Sequence, residues 1–182
     1  MKKKIFILFF ILIITKVSAS TKESIIQNLK NINNLTFNFE QNINGKIESG
    51  NCAIQYPKKI FCKYKSQNQK ILVSNGKSLV IKTLNSFYLY PLKKTPLDLI
   101  LDKDFIINRI KKSEENIIDN KFINFRIFEN ENEINIFFDK NTFNLIGWQT
   151  LDIYQNLSIT YLSSINKNND LNNKLFELPT QN

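Results

Sequence analysis

Few side chains in this sequence can do chemistry, and their types and spacing argue against catalysis. The chain has no histidine among its 182 residues. That removes the proton relay of Ser-His-Asp and Cys-His nucleophilic sites and the commonest metal ligand. Asp102, Asp104, Asp139 and Asp152 offer carboxylates for acid–base work. Asp102 and Asp104, however, follow a predicted helix end, and Asp139 lies at a Lys-Asn turn, so these groups read as solvated turn residues. Glu129, Glu131 and Glu133 alternate with asparagine across a hairpin tip, without the Gly-centred ligand spacing of a calcium loop. No stretch matches a nucleotide-binding loop. The expectation is a protein that is not an enzyme and uses no cofactor, metal or ATP.

Cys52 and Cys62 are the remaining reactive groups, five residues on either side of Pro57. A hairpin with an odd-length loop brings them face to face, near the ~4.4–6.8 Å Cα separation that a disulfide needs. A shift of one residue in register points them to opposite faces, as two small buried residues. Export favours the oxidised pair, and the N-terminus predicts export. Lys2, Lys3 and Lys4 precede an apolar run from Ile5 to Ile14 and a short polar stretch ending Val17-Ser18-Ala19, the three-part pattern of a secretory signal. The run is too short to cross a bilayer as a helix, which takes about 20 residues. Cleavage is expected after Ala19, making residues 1–19 a signal peptide and residues 20–182 one domain. Ser20 stands where a lipoprotein would have cysteine. The four lysines Lys2, Lys3, Lys4 and Lys16 leave with the signal, taking the formal charge from +9 to +5. The remaining basic residues are scattered, unlike the clustered face of a nucleic-acid binder.

The elements that would position these groups are mostly strands. Ser20-Thr21-Lys22-Glu23 forms a capping box, and Ile25, Leu29 and Ile32 follow at helical spacing, which predicts an amphipathic helix over about 22–33. Leu35, Phe37, Phe39, Gln41 and Ile43 then alternate with polar neighbours as in a half-buried strand. Asn75-Gly76, between Ile71-Leu72-Val73 and Leu79-Val80-Ile81, is a strong hairpin signal. Further turns at 85–86, 131–132 and 155–156 continue an antiparallel meander of about ten strands. Thr95-Pro96 opens a second short helix, with proline at the favoured first helical position. Two helices are little cover for so large a curved sheet, so its concave face is either an apolar ligand cavity or a filled barrel core. The aromatics Phe37, Phe39, Phe61, Tyr64, Tyr88, Tyr90, Phe138, Trp148 and Tyr161, with Leu79 and Ile81 of the 71–81 hairpin, are the candidate lining under the first reading and core under the second.

The block Leu72-Val73-Ser74-Asn75-Gly76-Lys77-Ser78-Leu79, followed by Phe87-Tyr88-Leu89-Tyr90-Pro91-Leu92-Lys93-Lys94-Thr95-Pro96-Leu97-Asp98-Leu99-Ile100-Leu101, resembles the LolA family of periplasmic outer-membrane lipoprotein carriers. Phe37 to Gln41, the Gly50–Tyr64 hairpin, Gly147-Trp148 and Leu175 to Pro179 are similar too. The resemblance implies an incomplete antiparallel barrel of about eleven strands, with a helical lid over an apolar cavity that shelters acyl chains. It maps lid positions onto Leu97, Ile100 and Leu101 and a first-helix position onto Leu29. Family members often carry an arginine near the hairpin proline that ties the lid shut. This chain has Tyr56 before Pro57 and Lys58, Lys59, Ile60 and Phe61 after it, leaving Tyr56 or Lys59 to replace that latch.

The implied partners are lipoproteins, an inner-membrane ABC transporter as donor, and an outer-membrane receptor or the membrane itself as acceptor, with the carrier a monomer in the periplasm. A carrier fits the physics of the task. Moving an acyl chain of about sixteen carbons into water costs on the order of 12 kcal/mol at roughly 0.8 kcal/mol per CH₂. A carrier or sensor of free lipids or glycolipids on the same half-barrel is the alternative function.

Overall fold

The computed structural model describes residues 20–129, 132–152 and 155–181. The expected signal peptide, its cleavage point and Glu131 lie outside the described residues. Helix α1 (Thr21–Lys30) starts at Ser20, whose side chain accepts a hydrogen bond from the Glu23 backbone N–H while its hydroxyl donates to the Glu23 carboxylate. The capping box therefore works as the sequence predicts, and the helix ends three residues short of the predicted end. Its apolar stripe, Ile25, Ile26 and Leu29, is buried, as is Ile32 beyond it.

Eleven antiparallel strands form one sheet: β1 (Asn34–Ile43), β2 (Lys46–Gln55), β3 (Lys59–Tyr64), β4 (Ile71–Asn75), β5 (Ser78–Lys82), β6 (Phe87–Pro91), β7 (Asn116–Ile118), β8 (Phe122–Glu129), β9 (Asn132–Asp139), β10 (Leu145–Leu151) and β11 (Leu157–Lys167). The spatial order is β6-β5-β4-β3-β2-β1-β11-β10-β9-β8-β7. Pairing β1 with β11 joins two meanders, while β6 and β7 remain as edges, so the barrel is open. Two glycines permit close strand packing. A Cβ on Gly50 would lie 2.2 Å from the Lys63 carbonyl oxygen and 2.7 Å from the Phe39 ring, and one on Gly147 would lie 2.5 Å from the Thr160 carbonyl oxygen.

The helices pack against the sheet. Helix α2 (Leu97–Ile100) follows the Thr95-Pro96 step. A further helix, α3 (Lys103–Lys112), corrects the expectation of only two. Asp102 is its N-cap, accepting from the Phe105 N–H at 3.0 Å, and Ile106, Ile107 and Ile110 form its buried stripe. Helices α1 and α3 pack into one core with Ile123, Phe125, Ile127, Ile134, Ile136 and Phe138 of β8 and β9. That half of the concavity is filled. The β1–β6 half is not. No helix of the described residues is long and apolar enough to cross a membrane.

Candidate functional site

Strand alternation turns one set of side chains from β1 to β6 toward the open half of the concavity, with β10, β11 and the start of the lid closing it. The cavity has a volume of about 490 Å³, within the usual range for small-molecule sites. The apolar part of its lining, its floor, is Phe37 and Phe39 of β1, Cys52 of β2, Ile60 and Cys62 of β3, Leu72 of β4, Leu79 and Ile81 of β5, Tyr90 of β6, Leu97 of α2 and Trp148 of β10, with the half-exposed Tyr88 of β6 beside it. Phe37 meets Trp148 edge-on at 6.4 Å between ring centres, and Phe39 meets Tyr64 edge-on at 4.9 Å. Such contacts stiffen a wall that Gly50 lets Phe39 approach.

Cys52 and Cys62 are directly opposed in the β2–β3 register and joined as a disulfide with Cα atoms 4.1 Å apart. The bond forms part of the cavity wall. The Tyr56–Pro57 peptide at the turn of this hairpin is cis.

The hairpin turn also holds the lid. Lys58 has φ of 65°, donates its backbone N–H to the Leu101 carbonyl at 2.9 Å, and sends its ammonium to Asp98 Oδ1 at 3.0 Å and Asp102 Oδ2 at 3.5 Å. Ser74 Oγ donates to the Lys58 carbonyl at 2.9 Å. The hydrogen bond to Asp98 raises the Lys58 pKa, partial burial opposes it, and the two carboxylate charges reinforce it. The tie is thus Lys58, in place of the expected Tyr56 or Lys59. Tyr56 packs against the core with the Lys103 ammonium 5.7 Å from its ring centre. Lys59 has the opposite strand parity from Ile60 and faces out.

Away from this apolar floor the lining becomes polar. Gln41 of β1 lies opposite Glu48 of β2 and Thr160 of β11, and its Nε2 donates to Ser158 Oγ at 3.0 Å and Thr160 Oγ1 at 3.3 Å. The Tyr64 hydroxyl donates to Gln41 Oε1 at 3.3 Å. Burial, with the nearby Glu48 charge, pushes the Tyr64 phenol well above its ordinary pKa, so it stays a neutral donor. Lys70 sits over the Tyr64 ring at 4.0 Å and pairs with Glu48 at 2.5 Å, while Lys46 reaches the same carboxylate at 3.4 Å. Burial raises the Glu48 pKa, but the hydrogen bond and charge of Lys70, aided by Lys46, outweigh it and hold the carboxyl below its usual value.

The structure divides the candidate residues. Phe37, Phe39, Tyr64, Leu79, Ile81, Tyr88, Tyr90, Leu97 and Trp148 line the cavity. Leu29, Ile100, Leu101 and Phe138 are buried in the core and absent from the lining; Phe138 packs edge-on against Phe125 in the filled half. Phe61 faces the other side of the sheet, in a shallow groove with Ile71, Val73 and the C-terminal Leu175 and Pro179. Tyr161 is 54% exposed on the outside. The parity of a strand explains both corrections: Phe61 lies between Ile60 and Cys62, and Tyr161 beside Thr160. Most of the carboxylates weighed in the sequence have structural partners, while Asp104 is exposed in the first turn of α3. Asp139 caps its turn through the Asn141 and Thr142 N–H groups, Asp152 accepts from Asn156, and Glu129 pairs with Arg109. Glu133 pairs with Arg126 at 3.2 Å.

The family model for the outer membrane lipoprotein carrier protein LolA matches residues 30–179. The chain belongs to the LolA family. A comparison with curated protein sequences finds no match. Among solved structures, a conserved protein from Thermus thermophilus is similar with a TM-score of 0.50 and 7% identity, over 88% of this chain and 95% of that one. A LolA superfamily protein from Nitrosomonas europaea gives 0.45 and 10%, over 88% and 99%. The lipoprotein LppX of Mycobacterium tuberculosis gives 0.43 and 9%, over 84% and 96%. The Thermus structure supports the shared fold. Membership of the LolA family and the open half-barrel give the chain a carrier-like role in binding lipids or lipoproteins.

Proposed function

We propose that this LolA-family protein is a periplasmic carrier that moves lipoproteins from the inner to the outer membrane, sheltering their acyl chains, and that it catalyses no reaction. The observation that carries this reading is the apolar floor of Phe37, Phe39, Leu72, Leu79, Ile81 and Trp148 beneath a lid tied by Lys58. An acyl chain buried there escapes most of its cost in water, about 0.8 kcal/mol per CH₂. Leu97 of the lid lines the same cavity, so cargo that fills it competes with the closed lid that these ties hold. A ligand shifts such an equilibrium only by its differential affinity for the two states, so a closed resting state weakens net binding and favours release. The N-terminal segment supports export, an ABC transporter in the inner membrane would supply the cargo, and an outer-membrane receptor or the membrane itself would accept it.

The test is the release of newly made lipoproteins from spheroplasts by the purified mature protein. The expected outcome is a soluble one-to-one complex. Retention of free phospholipid with no lipoprotein released would reassign the cargo to free lipids, and recovery of the protein without either would remove the carrier reading.

A further inference from the structure

The polar residues of the lining form a band across neighbouring strands. Thr160 of β11, Gln41 of β1, Glu48 of β2, Tyr64 of β3 and Lys70, immediately before β4, are linked by the pairings and contacts Gln41–Thr160, Tyr64–Gln41, Lys70–Tyr64 and Lys70–Glu48. On one side of the band the lining is largely hydrocarbon and aromatic. An amphiphile whose chain fills the floor therefore places its head group at this level. The ionic groups of the lining, Lys46, Lys70, Glu48 and Asp152, are equal in number and opposite in sign.

We infer that this band is a head-group site that favours a zwitterionic head, offering a cation and an anion together, over a head of net negative charge. Glu48 and Lys70 are mostly shielded, with side chains 16% and 18% exposed. An incoming anion that captured Lys70 would strip Glu48 of its closest partner, and leaving a poorly solvated charge uncompensated is costly. A zwitterion avoids that loss. Its ammonium takes the Glu48 carboxylate while its phosphate takes Lys70 and Lys46, whose side chain is 77% exposed and able to swing. Every charge remains paired through the exchange. The Tyr64 hydroxyl and the Gln41 amide, hydrogen-bonded to each other and on to Ser158 and Thr160, form a neutral polar layer next to it. This inference rests on the cavity being an acyl-chain site and concerns free lipids in it, since the acylated cysteine of a lipoprotein carries no ionised head.

The experiment uses the mature protein and the fluorescence of Trp148, its one tryptophan, which lines the cavity. Two monomeric probes share a dodecanoyl chain and differ in head: lysophosphatidylcholine, a zwitterion, and lysophosphatidylglycerol, an anion. The wild-type protein is expected to bind the zwitterion about tenfold more tightly. Glu48→Gln, which leaves the lining net positive, is expected to move that ratio about tenfold toward the anion. Lys70→Gln moves it the other way, and it carries the test if Glu48→Gln does not fold by circular dichroism. Equal affinity for the two heads, or a ratio that neither variant moves, would overturn the head-group site while leaving the acyl site standing. Binding of neither probe would overturn both.

Discussion

At the scale of single residues, Lys58 connects sequence to mechanism. It follows the hairpin proline, adopts a left-handed backbone conformation, and holds the lid by one backbone hydrogen bond and two carboxylate contacts. Its side chain is partly exposed, and ion pairs of that kind contribute about 0–1 kcal/mol. Lys58→Met is expected to lower global stability by less than ~1 kcal/mol in urea denaturation. The same substitution removes a contact made only by the closed lid, so affinity for an acyl probe should rise by up to about fivefold. Unchanged affinity would mean that the Lys58 contacts do not oppose cargo entry. The residue was legible as one of the cations beside Pro57. What the sequence lacked was the turn geometry that sends Lys58 to the lid and turns Lys59 outward.

At the scale of elements, the β2–β3 hairpin unites the lid and the cavity wall, and its disulfide is one covalent link between the two strands. The loop closed by Cys52 and Cys62 spans a sequence separation of 10, and closing a loop of that size restricts the unfolded chain by roughly 2–3 kcal/mol. Cys52→Ser/Cys62→Ser is expected to lose about that much stability in chemical denaturation, with reductant affecting the wild type but not the variant. A variant as stable as oxidised wild type would make the bond incidental. The symmetric placement around Pro57 made this pair legible, because hairpin register follows from turn position. Phe37 and Phe39 were legible for a related reason, since alternation in β1 is uninterrupted until its cavity-lining end. Helix α3 was not read. Its Asp102 cap and the stripe Ile106, Ile107 and Ile110 carry the signal, but the preceding short helix made Asp102 look like a terminus. The polar band was only partly visible: Gln41 shares the parity of Phe37 and Phe39, whereas Glu48, Tyr64 and Lys70 become neighbours only through pairing of separate strands.

At the scale of the whole molecule, one sheet serves two purposes. Helices α1 and α3 fill the concavity over β8 and β9 and supply a close-packed core, leaving the β1–β6 half hollow. The filled-core and cavity expectations are each realised in a different half. Periodicity marks the inward residues and is silent on whether protein or a ligand covers them; Phe138 is fully buried in the core, against Phe125. Incomplete closure gives the carrier a stable frame and a space whose lid is held by a few polar contacts. The central claim is that lipoprotein acyl chains occupy that space. Its most direct test is photo-crosslinking in the periplasm, with a photoreactive residue at Leu79 in the cavity or at Phe61 on the opposite face, and with palmitate-labelled lipoproteins. The account expects labelled lipoprotein adducts at Leu79 and none above background at Phe61; adducts equal at both positions, or none at Leu79 in a folded protein, would contradict it.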